Sequence, residues 1–349
     1  MSTAASHSRT TSPLYLPWLR LCMAGVFLMI AIGGFTRLSG SGLSIVEWKP
    51  IVGTLPPLSH QAWQGEFSKY KASPEYQQVN FDISFRRFQF IYMVEYIHRL
   101  VGRLVGLLFF LPLAFFWIRG SLSTFQKRYF ITLTFIGISQ GFMGWYMVKS
   151  GLVDDPMVNP ARLTAHLLIA TLILTLFYHE VLRVCHHSKI KKHSQNHKRT
   201  SNLALIGFIA SVCTLTYGGL VAGHKAGLIY NTFPLMDGSL IPTDQWIANK
   251  GLANLYQNPA IVQFIHRILA FITFGLGLMV ARNNLKSKTA HSKSLFIGSL
   301  LLISALVMQL LLGILTLLHS VPLSLALAHQ LLGIIVVMLF FRNLFFSRN

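Results

Sequence analysis

The chain has 349 residues, 53% of them hydrophobic and only 11% charged. A soluble domain carries roughly 25% charge, so this composition excludes an ordinary soluble enzyme. The formal net charge of +20 invites a nucleic-acid partner, but the placement of the charges excludes one, as the chain order makes plain.

Apolar runs of about 20 residues are long enough to cross a ~30 Å hydrocarbon core as helices. Within lipid, a helix is the form that bonds its own backbone groups. Eight such runs are legible, at about 17–36, 90–118, 128–149, 162–184, 201–223, 260–281, 294–318 and 322–346. The first follows a short basic lead and continues into Gly33-Gly34-Phe35-Thr36-Arg37 with no small-residue cleavage site, which predicts a retained helix rather than a signal peptide. With the N-terminus taken as cytoplasmic, the inner segments hold 17 of the 30 Lys and Arg and a single acid, Glu180. The connector between the fourth and fifth spans alone carries Lys189, Lys191, Lys192, Lys198 and Arg199. This is the positive-inside pattern of a multi-pass protein with both termini in the cytoplasm. The bilayer, not nucleic acid, is the expected partner.

The second span opens on Gln89-Phe90-Ile91-Tyr92-Met93-Val94-Glu95-Tyr96-Ile97-His98-Arg99. The sixth opens on Ala260-Ile261-Val262-Gln263-Phe264-Ile265-His266-Arg267, with the same Ile-His-Arg ending and Gln263 in the register of Glu95. The repeat continues in the other spans. Ser139-Gln140-Gly141-Phe142-Met143-Gly144 is similar to Met308-Gln309-Leu310-Leu311-Leu312-Gly313. Leu163-Thr164-Ala165-His166 is similar to Ala326-Leu327-Ala328-His329, and Gly33-Gly34 to Gly218-Gly219. Four spans per half give both halves one orientation. The expected fold is therefore all-α and integral to the membrane: eight transmembrane helices in two parallel four-helix bundles, related by a pseudo-two-fold axis along the membrane normal. The halves are 1–185 and 201–349, joined by a basic cytoplasmic connector at 186–200. Long outer loops, about 37–89 and 224–259, follow the first helix of each half, and loops of that length usually fold over a site.

His98, His166, His266 and His329 fall on the second and fourth helix of each half, toward the outer face. A polar side chain inside a membrane marks function by default. Facing histidines from two helices of a bundle can hold a haem iron at both axial positions. Gly102, Gly106, Gly141 and Gly144 are placed to widen a slot for the flat macrocycle. Arg99 and Arg267 stand ready either for a haem propionate or to snorkel to the interface. Glu95 shares a helix face with His98 and reads either as a reactive carboxylate or as an ion pair with Arg99. Because Gln263 replaces it in the second half, the first half is expected to do chemistry and the second to store or relay electrons. His186, His187, His193 and His197 match no metal spacing and read as a solvated inner loop. Cys22, Cys185 and Cys213 lie outside the outer loops, so no periplasmic disulfide is expected.

The run Gly33-Gly34-Phe35-Thr36-Arg37-Leu38-Ser39-Gly40-Ser41-Gly42-Leu43-Ser44-Ile45-Val46-Glu47-Trp48-Lys49-Pro50, continuing through Gly53 to Pro56-Pro57, resembles the first-loop signature of the haem A synthase family. Glu95-Tyr96-Ile97-His98-Arg99 resembles its second-helix motif, and the similarity covers nearly the whole chain. The resemblance implies oxidation of a methyl group of haem O to the formyl group of haem A, by two hydroxylations and loss of water, in support of cytochrome oxidase assembly. It implies that His98 and His166, with Arg99, flank the substrate haem. His266 and His329, with Arg267, would hold a resident haem b, and Glu95 would be the catalytic carboxylate. Haem O synthase, cytochrome oxidase assembly factors and an electron partner would be its associates, and a bacterial inner membrane its place. The outer-loop cysteine pair of some members is absent, which places the chain with the proteobacterial and mitochondrial branch. Two other readings account for parts of the pattern. A dihaem cytochrome b that only carries electrons has no need of Glu95 in one half alone, and a transporter makes the four histidines a coincidence.

Overall fold

The computed structural model describes residues 12–47, 52–153, 156–186, 197–242, 245–286 and 292–348. Eight of its helices are long and apolar enough to cross a membrane. They are α1 (Tyr15–Leu38), α4 (Phe85–Ile118), α5 (Thr124–Lys149), α6 (Pro160–His186), α7 (His197–Gly223), α9 (Pro259–Leu285), α10 (Ser292–Leu318) and α11 (Leu323–Arg348). Each expected span is found, longer at one or both ends. The extensions are polar turns that hydropathy cannot see but capping residues start. Ser84 accepts from the Arg87 backbone N–H at the head of α4, and Ser123 and Gln126 form a reciprocal capping box at the head of α5. Of the inner-loop histidines, His187 and His193 lie outside the described residues, as does the side chain of His197. His186 packs edge-on against Phe346 at 4.8 Å.

The outer loop expected at 37–89 is not structureless. It holds α2 (His60–Lys71) and α3 (Pro74–Gln78), each capped by a serine, Ser59 and Ser73. Trp63, Phe67 and Tyr70 recur at helical spacing on α2 and pack on Phe88 and Tyr92 of α4. That stripe explains why α4 begins well before its apolar run: its first turns face this loop. Among its described residues the second outer loop carries a short α-helix, α8 (Asn254–Gln257), and 3-10 turns at Ala226–Leu228 and Ala248–Ala253.

In the first half α1 packs on α4 and α6, and α5 packs on α6. In the second half α7, α9, α10 and α11 close into a ring. The halves meet where α1 packs on α11 and α6 on α7. A buried cluster built on Trp18, Phe109, Phe116, Phe130 and Phe177 fills the first half, and one built on Val280, Leu302, Leu306 and Phe340 fills the second. Both halves are pinned, near the ends away from the two long loops, by buried polar groups. Glu180, fully buried, takes two hydrogen bonds from Arg183 at 2.7 Å each and one from the Tyr15 hydroxyl at 2.7 Å. The Asn284 amide donates to Ser299 and Asn343, tying α9, α10 and α11 together. Elsewhere large apolar side chains such as Leu28, Leu111, Phe135 and Leu311 face outward, as lipid-facing surfaces require.

Candidate functional site

The four histidines come from the second and fourth spans of their halves, α4 and α6, then α9 and α11. Each packs its ring edge against a glycine on an adjacent helix. A Cβ on Gly33 would stand 3.0 Å from Cε1 of His98, and one on Gly144 3.1 Å from that of His166. One on Gly218 would stand 3.2 Å from His266, and one on Gly313 2.8 Å from His329. Only a residue without a side chain lets the helices close on an imidazole in this way. The repeat seen in the sequence is therefore a repeat of four cradles. The second glycine of each pair serves the seam between halves: Gly34 meets the Gln330 side chain and Gly219 meets Thr164.

His266 and His329 face each other with ring centres 6.4 Å apart. Two metal–imidazole bonds of about 2 Å, each extended by roughly 1.2 Å from nitrogen to ring centre, span about that distance. His266 Nδ1 lies 3.1 Å from the Thr214 carbonyl, to which its N–H donates, leaving Nε2 with a free lone pair. Nδ1 of His329 is buried without a hydrogen-bond partner, as are those of His98 and His166. The facing rings, with Nε2 of His266 free, make this a set of donors that fits a haem iron held between helices. The Gln140 amide nitrogen lies 3.5 Å from Nε2 of His166, while its counterpart Gln309 donates to the His329 carbonyl at 3.0 Å. The amide oxygens of both glutamines are buried without partners. Among the described residues no group of three or more histidine, cysteine and acidic side chains could hold a metal ion.

Glu95 is buried, and both of its oxygens are engaged. Oε1 accepts from Arg99 at 2.6 Å, while Oε2 accepts from the Ser44 hydroxyl at 2.7 Å and the Ile45 backbone N–H at 2.9 Å. Arg99 also donates to the carbonyls of Ile45 and Glu47. The ion pair weighed from the sequence is thus present, and it clamps the first outer loop to α4. The second half repeats the clamp without the charge: the Gln263 amide and Arg267 both donate to the Tyr230 carbonyl, and Arg267 reaches those of Pro234 and Leu235. Nε of Arg267 is left buried with no partner. Beneath the first loop a cavity of about 400 Å³ is lined by Arg99, Arg103, Lys69, Glu66, Tyr92 and Tyr96.

The structure brings Glu95, His98 and Arg99 onto one stretch of α4 and sets His266 against His329. Sequence reasoning missed Ser44 and the Ile45 amide as the partners of Glu95, and missed Gln140 and Gln309. The repeat of Gln140 as Gln309 was a signal for the last two. The signal for Ser44 was only its place in a long loop motif.

A model of the family described as cytochrome oxidase assembly protein matches residues 17–341. Three proteins named heme A synthase are similar over most of their length. That of Wolbachia pipientis wMel is 43% identical over 322 residues, covering 91% of this chain and 88% of the relative. That of Neorickettsia sennetsu is 42% identical over 330 residues, covering 93% and 96%. That of Rickettsia bellii RML369-C is 41% identical over 333 residues, covering 92% and 94%. A match of this extent, on a chain whose repeated histidine cradles and loop clamps lie inside the matched region, places it in the cytochrome oxidase assembly protein family.

Proposed function

We propose that this chain is a haem A synthase, an oxidoreductase that converts a methyl group of haem O to a formyl group. The observation that carries this reading is the asymmetry of two otherwise matching clamps. Beside His98 stands the ion-paired carboxylate of Glu95, and beside His266 the neutral amide of Gln263. Chemistry belongs in the half with the charge.

In this reading His98 and His166 flank the substrate haem. Arg99 and the loop donors Ser44 and Ile45 fix the Glu95 carboxylate in one orientation. A negative group fixed in a dry site stabilises positive charge developing at an adjacent carbon without reorganising first, and that is the part assigned to Glu95. The clamp also keeps the loop over the site, where it excludes water. His266 and His329 hold a resident haem b, which supplies one-electron transfer when bound. The unpartnered Arg267 Nε is the donor left for a haem propionate, and Arg99 has the matching place in the first half.

The test is to extract and separate the haems of the purified protein. Haem b accompanied by haem O, a hydroxylated intermediate or haem A is the expected result; haem b alone, with no turnover of added haem O, would make the chain an electron carrier. His266→Ala and His329→Ala should each remove most of the haem b from protein that still inserts. Full retention of haem b in both variants would overturn the assignment of that pair.

A further inference from the structure

The glycine pairs Gly33-Gly34 and Gly218-Gly219 set α1 and α7 in one register, each with a histidine cradled at its first glycine. Within that register one charged residue has no counterpart. Four positions after Gly33 stands Arg37, and four after Gly218 stands Ala222. Residues four apart share a helix face. Arg37 therefore lies about 6 Å beyond the His98 cradle on the same side of α1, toward the first long loop.

Arg37 is half-buried in the last turn of α1. Its guanidinium is not spent on capping that helix. The carbonyls of Phe35, Thr36 and Arg37 itself accept from the backbone N–H groups of Ser39, Ser41 and Gly40. Among the described residues no acid and no hydrogen-bond acceptor engages the guanidinium. Three other arginines at this end of the half are engaged. Arg99 is shared between Glu95 and the carbonyls of Ile45 and Glu47. Arg87 donates to the Ser39 carbonyl and lies over the Phe90 ring. Arg162 donates to the Tyr146 carbonyl and lies over that ring. A half-buried cation with no anion beside it is costly, and the planar fork of a guanidinium matches a carboxylate.

We propose that Arg37 is the carboxylate anchor of the first-half site and takes a propionate of the substrate haem. This rests on the haem O reading above. A haem carries two propionates on one edge of its ring, so a site for it needs a cation with donors to spare. In the second half Arg267, beside His266, keeps an unpartnered Nε for this use. In the first half the matching Arg99 is committed to Glu95. A carboxylate in the place of Gln263 engages the arginine one turn away, and the site then needs a second cation. Arg37 in the place of Ala222 supplies it. The two charged exchanges between the halves, Glu95 for Gln263 and Arg37 for Ala222, are thus one change: the acid engages the old anchor, and a new one stands on the helix opposite.

The test uses the purified protein with its resident haem, in lipid nanodiscs. The first site is titrated with haem O and with haem O dimethyl ester, whose propionates carry no charge. Wild type should bind haem O more tightly than the ester. Arg37→Gln should weaken haem O binding roughly tenfold or more, as for the loss of one hydrogen bond between charged groups. It should leave the affinity for the ester, and the spectrum of the resident haem, unchanged. Arg37→Lys, which keeps the charge without the fork, should fall between wild type and Arg37→Gln. Equal loss for haem O and its ester would make Arg37 a packing residue and overturn the anchor. So would unchanged haem O binding, a change confined to the resident haem, or a wild type that binds haem O and the ester equally. A wild type that takes up no haem in its first half would instead fail the functional reading itself, and the anchor with it. If Arg37→Gln does not insert, Arg37→Lys must show the same split between haem O and ester in smaller measure.

Discussion

At the scale of single residues, the engagement of Glu95 sharpens what its charge can do. A carboxylate that merely closed an ion pair would need Arg99 alone, yet Ser44 and the Ile45 amide add two further donors. Three donors hold the group in one orientation, which suits an electrostatic role. Glu95→Gln keeps the size and the acceptor oxygen and matches the residue used at Gln263. The variant should insert and bind haem, while haem A formation per molecule falls roughly 10²–10³-fold, as when one preorganised contact is lost. Accumulated haem O on the purified variant is the readout. Normal haem A output at normal haem content would reduce Glu95 to a loop clamp. At this scale the sequence was informative about which residues matter and less so about what they touch. The Glu95–Arg99 pair follows from i,i+4 spacing, and the histidines from their repeat. The contact from Glu95 to Ser44, 51 positions away, depends on how a long loop returns to α4, which no local pattern encodes. The glycine pairs were visible as a motif, but their use as imidazole cradles appears only when neighbouring helices are in place.

At the scale of elements, the eight spans were legible because hydropathy reports directly on the lipid. The loop helices α2 and α3 were not, since their apolar stripe is short and interrupted by polar residues, and it gains its partner only from α4. Within this loop Glu75 is buried against Tyr70, whose hydroxyl donates to it at 3.1 Å. Burial pushes the Glu75 carboxyl up to about 7 from its ordinary value of 4.5. A carboxyl raised on folding is stabilising in its protonated form. Its contribution is complete below the ordinary value and is lost as pH rises through about 7. The loop should therefore loosen between pH about 5 and about 8. Tryptic cleavage after Lys69 and Lys71, measured against a free peptide of the same sequence, should accelerate over this range. Glu75→Gln should flatten the dependence, and an unchanged profile in that variant would show that another group governs the loop. The outer lid of the site would thus be tightest on the acid side.

At the scale of the whole molecule, two halves are built on one pattern and differ at the loop clamp, where Glu95 of the first half stands in the place of Gln263. The seam between halves is itself made by the glycine pairs. Gly33 cradles His98 while Gly34 meets Gln330, the neighbour of His329; Gly218 cradles His266 while Gly219 meets Thr164, two residues before His166. Each histidine pair is thereby set in place partly by the other half, so the halves should not fold as independent sites. All four histidines lie toward the helix ends that carry the two long loops, which ties the location of chemistry to the topology of the chain. If the basic inner connections face the cytoplasm, the loop around Gly65 faces outward and the α5 start at Thr124 faces inward. In a cysteine-free background, Gly65→Cys should react with an impermeant thiol reagent added to the outside of intact cells or spheroplasts. Thr124→Cys should react only after the membrane is opened. Both positions are capable of reporting, since Gly65 and Thr124 are exposed. The reverse pattern would place both termini outside, and haem oxidation with its loop lid on the cytoplasmic side, against the distribution of 17 basic residues along the segments assigned inside.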